Sequence, residues 1–498
     1  MARVWLSWAV ALAFGAGAVL GGGAAGSELA ERLGSSEPGK RRSAVRALAK
    51  VGDRTSWRLV LGALSDEMPE VADQAQLALA GIDDEVILKG LLGKQGLQAK
   101  AVETRRRAAE VLGRVKLEVA GGDVAKGLSD RDEEVRRRVL WSIERLAERE
   151  VLGGELDRRL LPVLRRKWKG DRSAEVRAAC LMAIDAVDSE VARELARKGL
   201  TDRREEVRCA ALLVAARHAD LTEELELQLE GDPSSRVRSL LIESYATIGT
   251  AEAARALVRV LDAEPRLRLR WSALAALRRI SGMKYRMNIA PWRAWAESLP
   301  RSWRASGAPK PEVQSGGSRV FGGMPLLSDR VAFLFDLSGS LWNKREDGTT
   351  RKEYADRQLA LALGSLEPGS KFNIIPYTKR PFPWSDELES ANERNLERAY
   401  KDFENCRETG QGNFYSAALL AMSDPEVDTI MVLTDGAPTG GEIWSLELMI
   451  PMLLSHSRFK RVRFDSILVD APKGLQHYWR ELAEKSGGQV IVVEADSR

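Results

Sequence analysis

Five apolar residues, Val331-Ala332-Phe333-Leu334-Phe335, run straight into Asp336-Leu337-Ser338-Gly339-Ser340. A run that apolar predicts a strand covered on both faces, as at the centre of a parallel sheet. Ligands of such sheets sit outside the carboxyl ends of the strands. There Asp336, Ser338 and Ser340, at alternate positions, offer three oxygens to one point, a donor set that suits a hard cation such as Mg²⁺. A second segment has the same design: Thr429-Ile430-Met431-Val432-Leu433 is followed by Thr434-Asp435-Gly436.

Together these residues resemble the metal-ion-dependent adhesion site (MIDAS) of von Willebrand factor type A (VWA) domains. That family's pattern is Asp-x-Ser-x-Ser, a Thr in a Gly-rich loop, and an Asp in a Thr-Asp-Gly turn. Supporting segments follow in the family's order. Lys371 to Tyr377 reads as the second strand and Gly410 to Tyr415 as the middle loop, while Phe464 to Val469 and Gln489 to Val493 read as late strands. The resemblance runs from about Phe321 to the C-terminus. It implies a Rossmann-like α/β domain with a mostly parallel sheet in the order 3-2-1-4-5-6. It also implies a site for Mg²⁺ or Mn²⁺ built on Asp336, Ser338 and Ser340, with Asp435 as outer carboxylate. One position departs from the family: the Thr falls on Gly412, beside Asn413, and Thr409 stands three residues early. Two readings of these residues are therefore open. They hold a weakly bound metal, or Asp336 and the serines cap the following helix and tie the loops together.

At 498 residues the chain is too long for one core. The 76 Lys and Arg stand against 72 Asp and Glu, leaving +4 overall. The signs interleave, as in Arg131-Asp132-Glu133-Glu134-Val135-Arg136-Arg137-Arg138, which predicts a solvated helix face and argues against nucleic acid. Residues 1–26 place Arg3 before an apolar stretch, Val4 to Leu20, and small residues at Ala24 and Gly26. That arrangement predicts a cleaved secretory signal peptide, hence export to the periplasm or beyond, with an uncleaved membrane anchor as the alternative. Cys180, Cys209 and Cys406 are too few for a disulfide framework. His218, His456 and His477 are scattered and read as surface or capping residues. No catalytic grouping is recognisable.

From about Arg42 to Ser281 a weaker pattern recurs: an Asp, four residues, then Val-Arg at a helix start. It stands at Asp130…Val135-Arg136, Asp171…Val176-Arg177, Asp202…Val207-Arg208 and Asp232…Val237-Arg238, with Leu269-Arg270 as a looser copy. A period near thirty that spans two short helices predicts an all-α solenoid. These units resemble short HEAT-like repeats. Pro291-Trp292-Arg293-Ala294-Trp295 predicts a closing helix whose tryptophans cover the last apolar face. The sequence thus divides into a leader at 1–26, repeats at 27–298, a Pro/Gly/Ser linker at 299–318 and the type A region at 319–498, with the two halves expected to be mobile. The function expected is a non-enzymatic, exported scaffold that binds proteins, a partner's acidic residue completing the metal shell. The alternative is a HEAT-like lyase or chaperone-type factor with the type A region as docking module.

Overall fold

The computed structural model describes residues 24–218, 231–305, 320–345 and 348–493. Most of the expected leader and residues 306–318 of the expected linker lie outside these. Ala24–Leu33 begins a helix within the last residues of that leader. Among the described residues no helix is long and apolar enough to cross a membrane.

The N-terminal half is built of paired helices. One helix of each pair stacks on the next along the chain: α1 (Pro38–Val51), α2 (Pro69–Leu79), α3 (Val102–Leu112), α4 (Glu133–Glu148), α5 (Ala174–Val187), α6 (Glu205–Ala215), α7 (Ser235–Ile248) and α8 (Leu267–Ser281). In α7 the Ser234 hydroxyl accepts from Val237 N–H at the start, and left-handed Gly249 (φ 60°) ends the helix. A closing helix, α9 (Ile289–Ser298), follows.

The recurring Asp and Arg have a common geometric meaning. The Arg after each repeat Val reaches forward to the acid that opens the next unit. Arg177 Nη2 lies 2.6 Å from Asp202, Arg208 makes two bonds of 2.7 and 2.8 Å to Asp232, and Arg238 makes two to Glu264. Each such acid also accepts a backbone N–H two residues on, as Asp202 does from Arg204. Paired two-bond contacts of this kind fix orientation as well as distance, so the ladder sets the stacking register of the helices.

The C-terminal half holds a six-stranded sheet: β1 (Arg330–Asp336), β2 (Lys371–Tyr377), β3 (Glu389–Ser390), β4 (Thr429–Thr434), β5 (Arg463–Val469) and β6 (Val490–Val493). Its order is β6-β5-β4-β1-β2-β3, all parallel except β3, which is the order expected from sequence. Every residue of β4 and β5 is buried, as the apolar run of β4 predicts, while β5 buries Arg463, Asp465 and Ser466 as well. Five helices cover the sheet: α10 (Arg351–Gly364), α11 (Glu393–Glu404), α12 (Phe414–Ser423), α13 (Leu446–Lys460) and α14 (Lys473–Ser486).

The two halves are not independent, contrary to the expectation from linker composition. Phe459 of α13 joins the apolar core of the helical array, while Leu77 and Trp141 of the array pack against the core of the sheet domain. The first residues of the expected linker also pack on the array: Trp303 stacks edge-on against Trp295, and Ala305 N–H bonds Gly249 O at 2.9 Å. A Pro/Gly/Ser segment limits reach, but it does not decide whether the surfaces it joins are complementary.

Charge complementarity carries much of this interface. Glu442, after β4, receives Arg106 and Arg138, each at 3.0 Å. Arg458 pairs with Glu144 at 2.8 Å and Lys460 with Glu175 at 3.0 Å. His456, expected as a surface or capping residue, sits between Glu134 (3.2 Å) and Arg137 (2.5 Å). The interleaved run Arg131 to Arg138 is only partly a solvated face: Arg131 and Glu133 are exposed, but Arg137 and Arg138 are buried against the other half. Opposite charges on the partner surface replace the water that the pattern alone implies.

Asp73 of α2 is the interface acid with the plainest pH consequence. Its Oδ2 accepts N–H from Trp444 (2.7 Å) and Ser445 (2.8 Å) at the start of α13, where Ser445 makes no side-chain cap of its own. Burial pushes this carboxyl up to about 6 and Glu110 adds to the rise, against the two N–H groups and the charge of Arg107. A folded pKa above the unfolded value means a contribution fully present below about pH 4 and lost as pH rises through about 6. Asp73→Asn keeps an acceptor oxygen, and its amide nitrogen replaces an Oδ1 that has no partner. Urea denaturation of the full chain is expected to show Asp73→Asn more stable at pH 7.5, by on the order of 2–3 kcal/mol, and near neutral at pH 4. Asp73→Ala orphans both N–H groups and is expected to cost about 1–3 kcal/mol at either pH.

Candidate functional site

Asp336 is the last residue of β1, and its side chain is 2% exposed. Oδ1 accepts from Ser338 N–H at 2.9 Å, and Oδ2 accepts from the Thr434 hydroxyl at 3.0 Å. Ser338 Oγ and Ser340 Oγ are 3.1 Å apart. Ser338 thus bonds both Asp336, through its N–H, and Ser340, through its hydroxyl, at the start of a short 3-10 turn, Gly339–Trp342. Gly339 N–H bonds Gly410 O at 3.0 Å, which draws the middle loop alongside the first.

Asp435 follows Thr434 directly, and β4 lies next to β1, so the two carboxylates flank the same sheet edge. Burial pushes the Asp336 carboxyl up to about 6, and the Asp435 charge raises it further against the bonds from Ser338 and Thr434. No Lys or Arg is bonded to either carboxylate among the described residues. Two acids held together without a counter-ion, beside two hydroxyls, form a set of hard oxygen donors that fits Mg²⁺ or Mn²⁺. Among the described residues no three His, Cys, Asp or Glu side chains form a metal-holding group, so any metal here depends on the serine hydroxyls.

Gly412 lies where the departure from the family pattern matters. A Cβ there would stand 3.1 and 3.2 Å from the two Asp336 carboxylate oxygens. The backbone at Gly412 is not left-handed, so the position tolerates a side chain if Asp336 yields by a few tenths of an ångström. Its N–H bonds the Thr439 hydroxyl at 3.0 Å. Asn413 caps α12 by accepting from Ser416 N–H (3.1 Å) and bonds Lys379 O, a structural role. Thr409 is exposed; its hydroxyl lies 4.0 Å from where a Cβ of Gly339 would be.

Three residues of the site carried no assigned role in the sequence. Thr434 bonds Asp336 directly, Thr439 braces Gly412, and Tyr377 is fully buried within reach of the charges of Asp336 and Asp435. The hydroxyl in Thr434-Asp435-Gly436 was the one signal available, since it precedes Asp435 at a strand end.

No family model matches the chain. A curated relative, inter-alpha-trypsin inhibitor heavy chain 4 of Mus musculus, is 31% identical over 131 residues, covering 24% of this chain and 13% of that protein. Human von Willebrand factor A domain-containing protein 3B is 29% identical over 126 residues, covering 25% of this chain and 9% of that protein. These relatives support a type A domain. The chain thus spans only a small part of the length of the curated relatives it matches. Among solved structures, a von Willebrand factor type A protein from Catenulispora acidiphila is 17% identical with a TM-score of 0.29, covering 34% of this chain and 39% of that one. In this chain's sheet the loops of Asp336 and Asp435 occupy the point where strand order reverses, between β1 and β4, where α/β sheets take their ligands.

Proposed function

We propose that this chain is a non-enzymatic protein-interaction scaffold, with HEAT-like repeats in its helical half. Its type A domain engages an acidic group of a protein partner through a weakly held Mg²⁺ or Mn²⁺. The observation that carries this reading is the uncompensated pair Asp336 and Asp435 beside the converged hydroxyls of Ser338 and Ser340. Asp336, Ser338 and Ser340 would hold the ion, with Asp435 acting through water. The ion supplies an attachment point for a partner's carboxylate. Thr434 orients Asp336 through its hydroxyl bond, and burial of Asp336 keeps bulk water from that side. Gly412 contributes no hydroxyl, which keeps affinity low.

Calorimetric titration of the full chain with MgCl₂ and MnCl₂ tests this. Wild type is expected to bind weakly and Asp336→Ala not at all. Gly412→Thr adds one contact to the cation and is expected to bind about tenfold tighter. Binding unchanged in Asp336→Ala, or none in wild type and Gly412→Thr alike, returns these residues to a loop-tying role.

A further inference from the structure

Away from the type A site, a cleft of about 460 Å³ lies between the two halves of the chain. α7 and α8 of the helical array form one side, and Arg463 of β5 with the end of α14 forms the other. Its apolar wall is Ile242, Ala246, Ala275 and Met283. Its charged lining is mostly cationic, with Arg268, Arg279 and Arg463 at the seam.

These cations are poorly compensated. Arg463 is 8% exposed and gives Nε to Asp465 at 2.9 Å, while its Nη2 has no hydrogen-bond partner. Arg279 has no ion pair or hydrogen bond among the described residues. Arg268 spends Nη1 on the carbonyl oxygens of Asp428 and Arg461 rather than on a carboxylate. Burial, together with the nearby charges of Arg463 and Arg461, holds the Arg268 guanidinium down to about 10 against the pull of Asp428. The one acid in the lining, Glu243, is already paired with Arg461. A buried guanidinium nitrogen without an acceptor is costly, and an anion that supplied one would relieve both the orphaned donor and the mutual repulsion.

We propose that this cleft binds a carboxylate ligand with an apolar body, its headgroup against Arg463 and Arg279 and its chain along Ile242, Ala246, Ala275 and Met283. A single negative charge suits the site better than a double one, because Asp465 and Glu243 stand close to the same guanidinium groups. Because the lining comes from both halves, the ligand ties the helical array to the type A domain.

Decanoate serves as probe on the full chain, with decanol as neutral control and inorganic phosphate as charge-only control. At about 100 times its dissociation constant decanoate is expected to lower the unfolding constant about 100-fold in urea denaturation. Decanol and phosphate are expected to leave it unchanged. Arg279→Glu, at a side chain with no partner to lose, is expected to weaken decanoate binding at least about tenfold. Ala275→Phe, which fills the apolar wall, is expected to weaken it as well and provides a second variant should the first fold poorly. No stabilisation by decanoate, an equal effect of decanol or phosphate, or undiminished binding in both variants overturns the proposal.

Discussion

Arg138→Ala is expected to destabilise the full chain by about 3–5 kcal/mol, although the residue lies in neither the apolar core nor the Asp336 site. Its side chain is 1% exposed. Nε donates to Glu134 at 2.8 Å and Nη2 to Glu442 at 3.0 Å, so one guanidinium joins α4 to the loop after β4. Burial by itself would push this arginine toward the neutral form; Glu442 and Glu134 overcome that and hold it charged, well above its ordinary value. Removing it leaves two carboxylates facing each other in a water-poor seam, with Arg106 and His456 as their remaining partners. The cost therefore comes from the stranded acids more than from the lost contacts. Urea denaturation separates the two contributions. Arg138→Met combined with Glu134→Gln and Glu442→Gln removes the acids with the base and is expected to regain most of the loss. A loss below about 1 kcal/mol for Arg138→Ala would show that the halves do not depend on this contact.

The same residue marks where sequence reading stops. The run Arg131 to Arg138 has the composition of a wet helix face, and nothing in one chain distinguishes charges that face water from charges that face opposite charges 300 residues away. Central strands β1 and β4 were legible because Val331 to Phe335 and Ile430 to Leu433 are apolar throughout, while the polar Asn373 of β2 sits within an otherwise apolar run. Thus β1, β2 and β4 begin and end within a residue of their expected limits, and the six strands take the expected order. Ser338 and Ser340 meet because a short 3-10 turn, Gly339–Trp342, follows the strand and brings their hydroxyls within 3.1 Å, a turn that the alternating pattern alone does not reveal. Thr434 escaped assignment because its role is set by the neighbouring strand: only the pairing of β1 with β4 brings its hydroxyl to Asp336. The repeat Asp and Arg were visible as a period, but their bond runs from one unit to the next, so each unit read alone gives no reason for either. The expectation of mobile halves is the one the described contacts oppose, because local composition carries no information about a distant surface.

Trp292→Ala is expected to cost about 3–5 kcal/mol and to act at the C-terminal end of the array. Trp292 is fully buried in α9. Its ring meets Tyr285 edge-on at 5.2 Å and Trp295 at 5.9 Å, and Trp295 continues the contact to Trp303. Its indole N–H donates to Arg286 O at 2.9 Å, so the polar end is satisfied within the same cap. The buried Trp292 ring thus sits inside a chain of edge-on aromatic contacts. A stacked array is stabilised by neighbours on both sides, so the terminal unit depends on its cap more than an internal unit does. Truncation to Ala removes the largest side chain of that cap and leaves a cavity that rigid flanking helices cannot close. Because Trp303 leads back to Ala305 and Gly249, the loss is expected to spread to α7 and to loosen the chain leaving the array. Hydrogen exchange should show this as faster exchange in α7, α8 and α9 with α1 to α3 unchanged. Uniform acceleration throughout the chain would instead make the array a single cooperative unit, with the cap no more important than any other core residue.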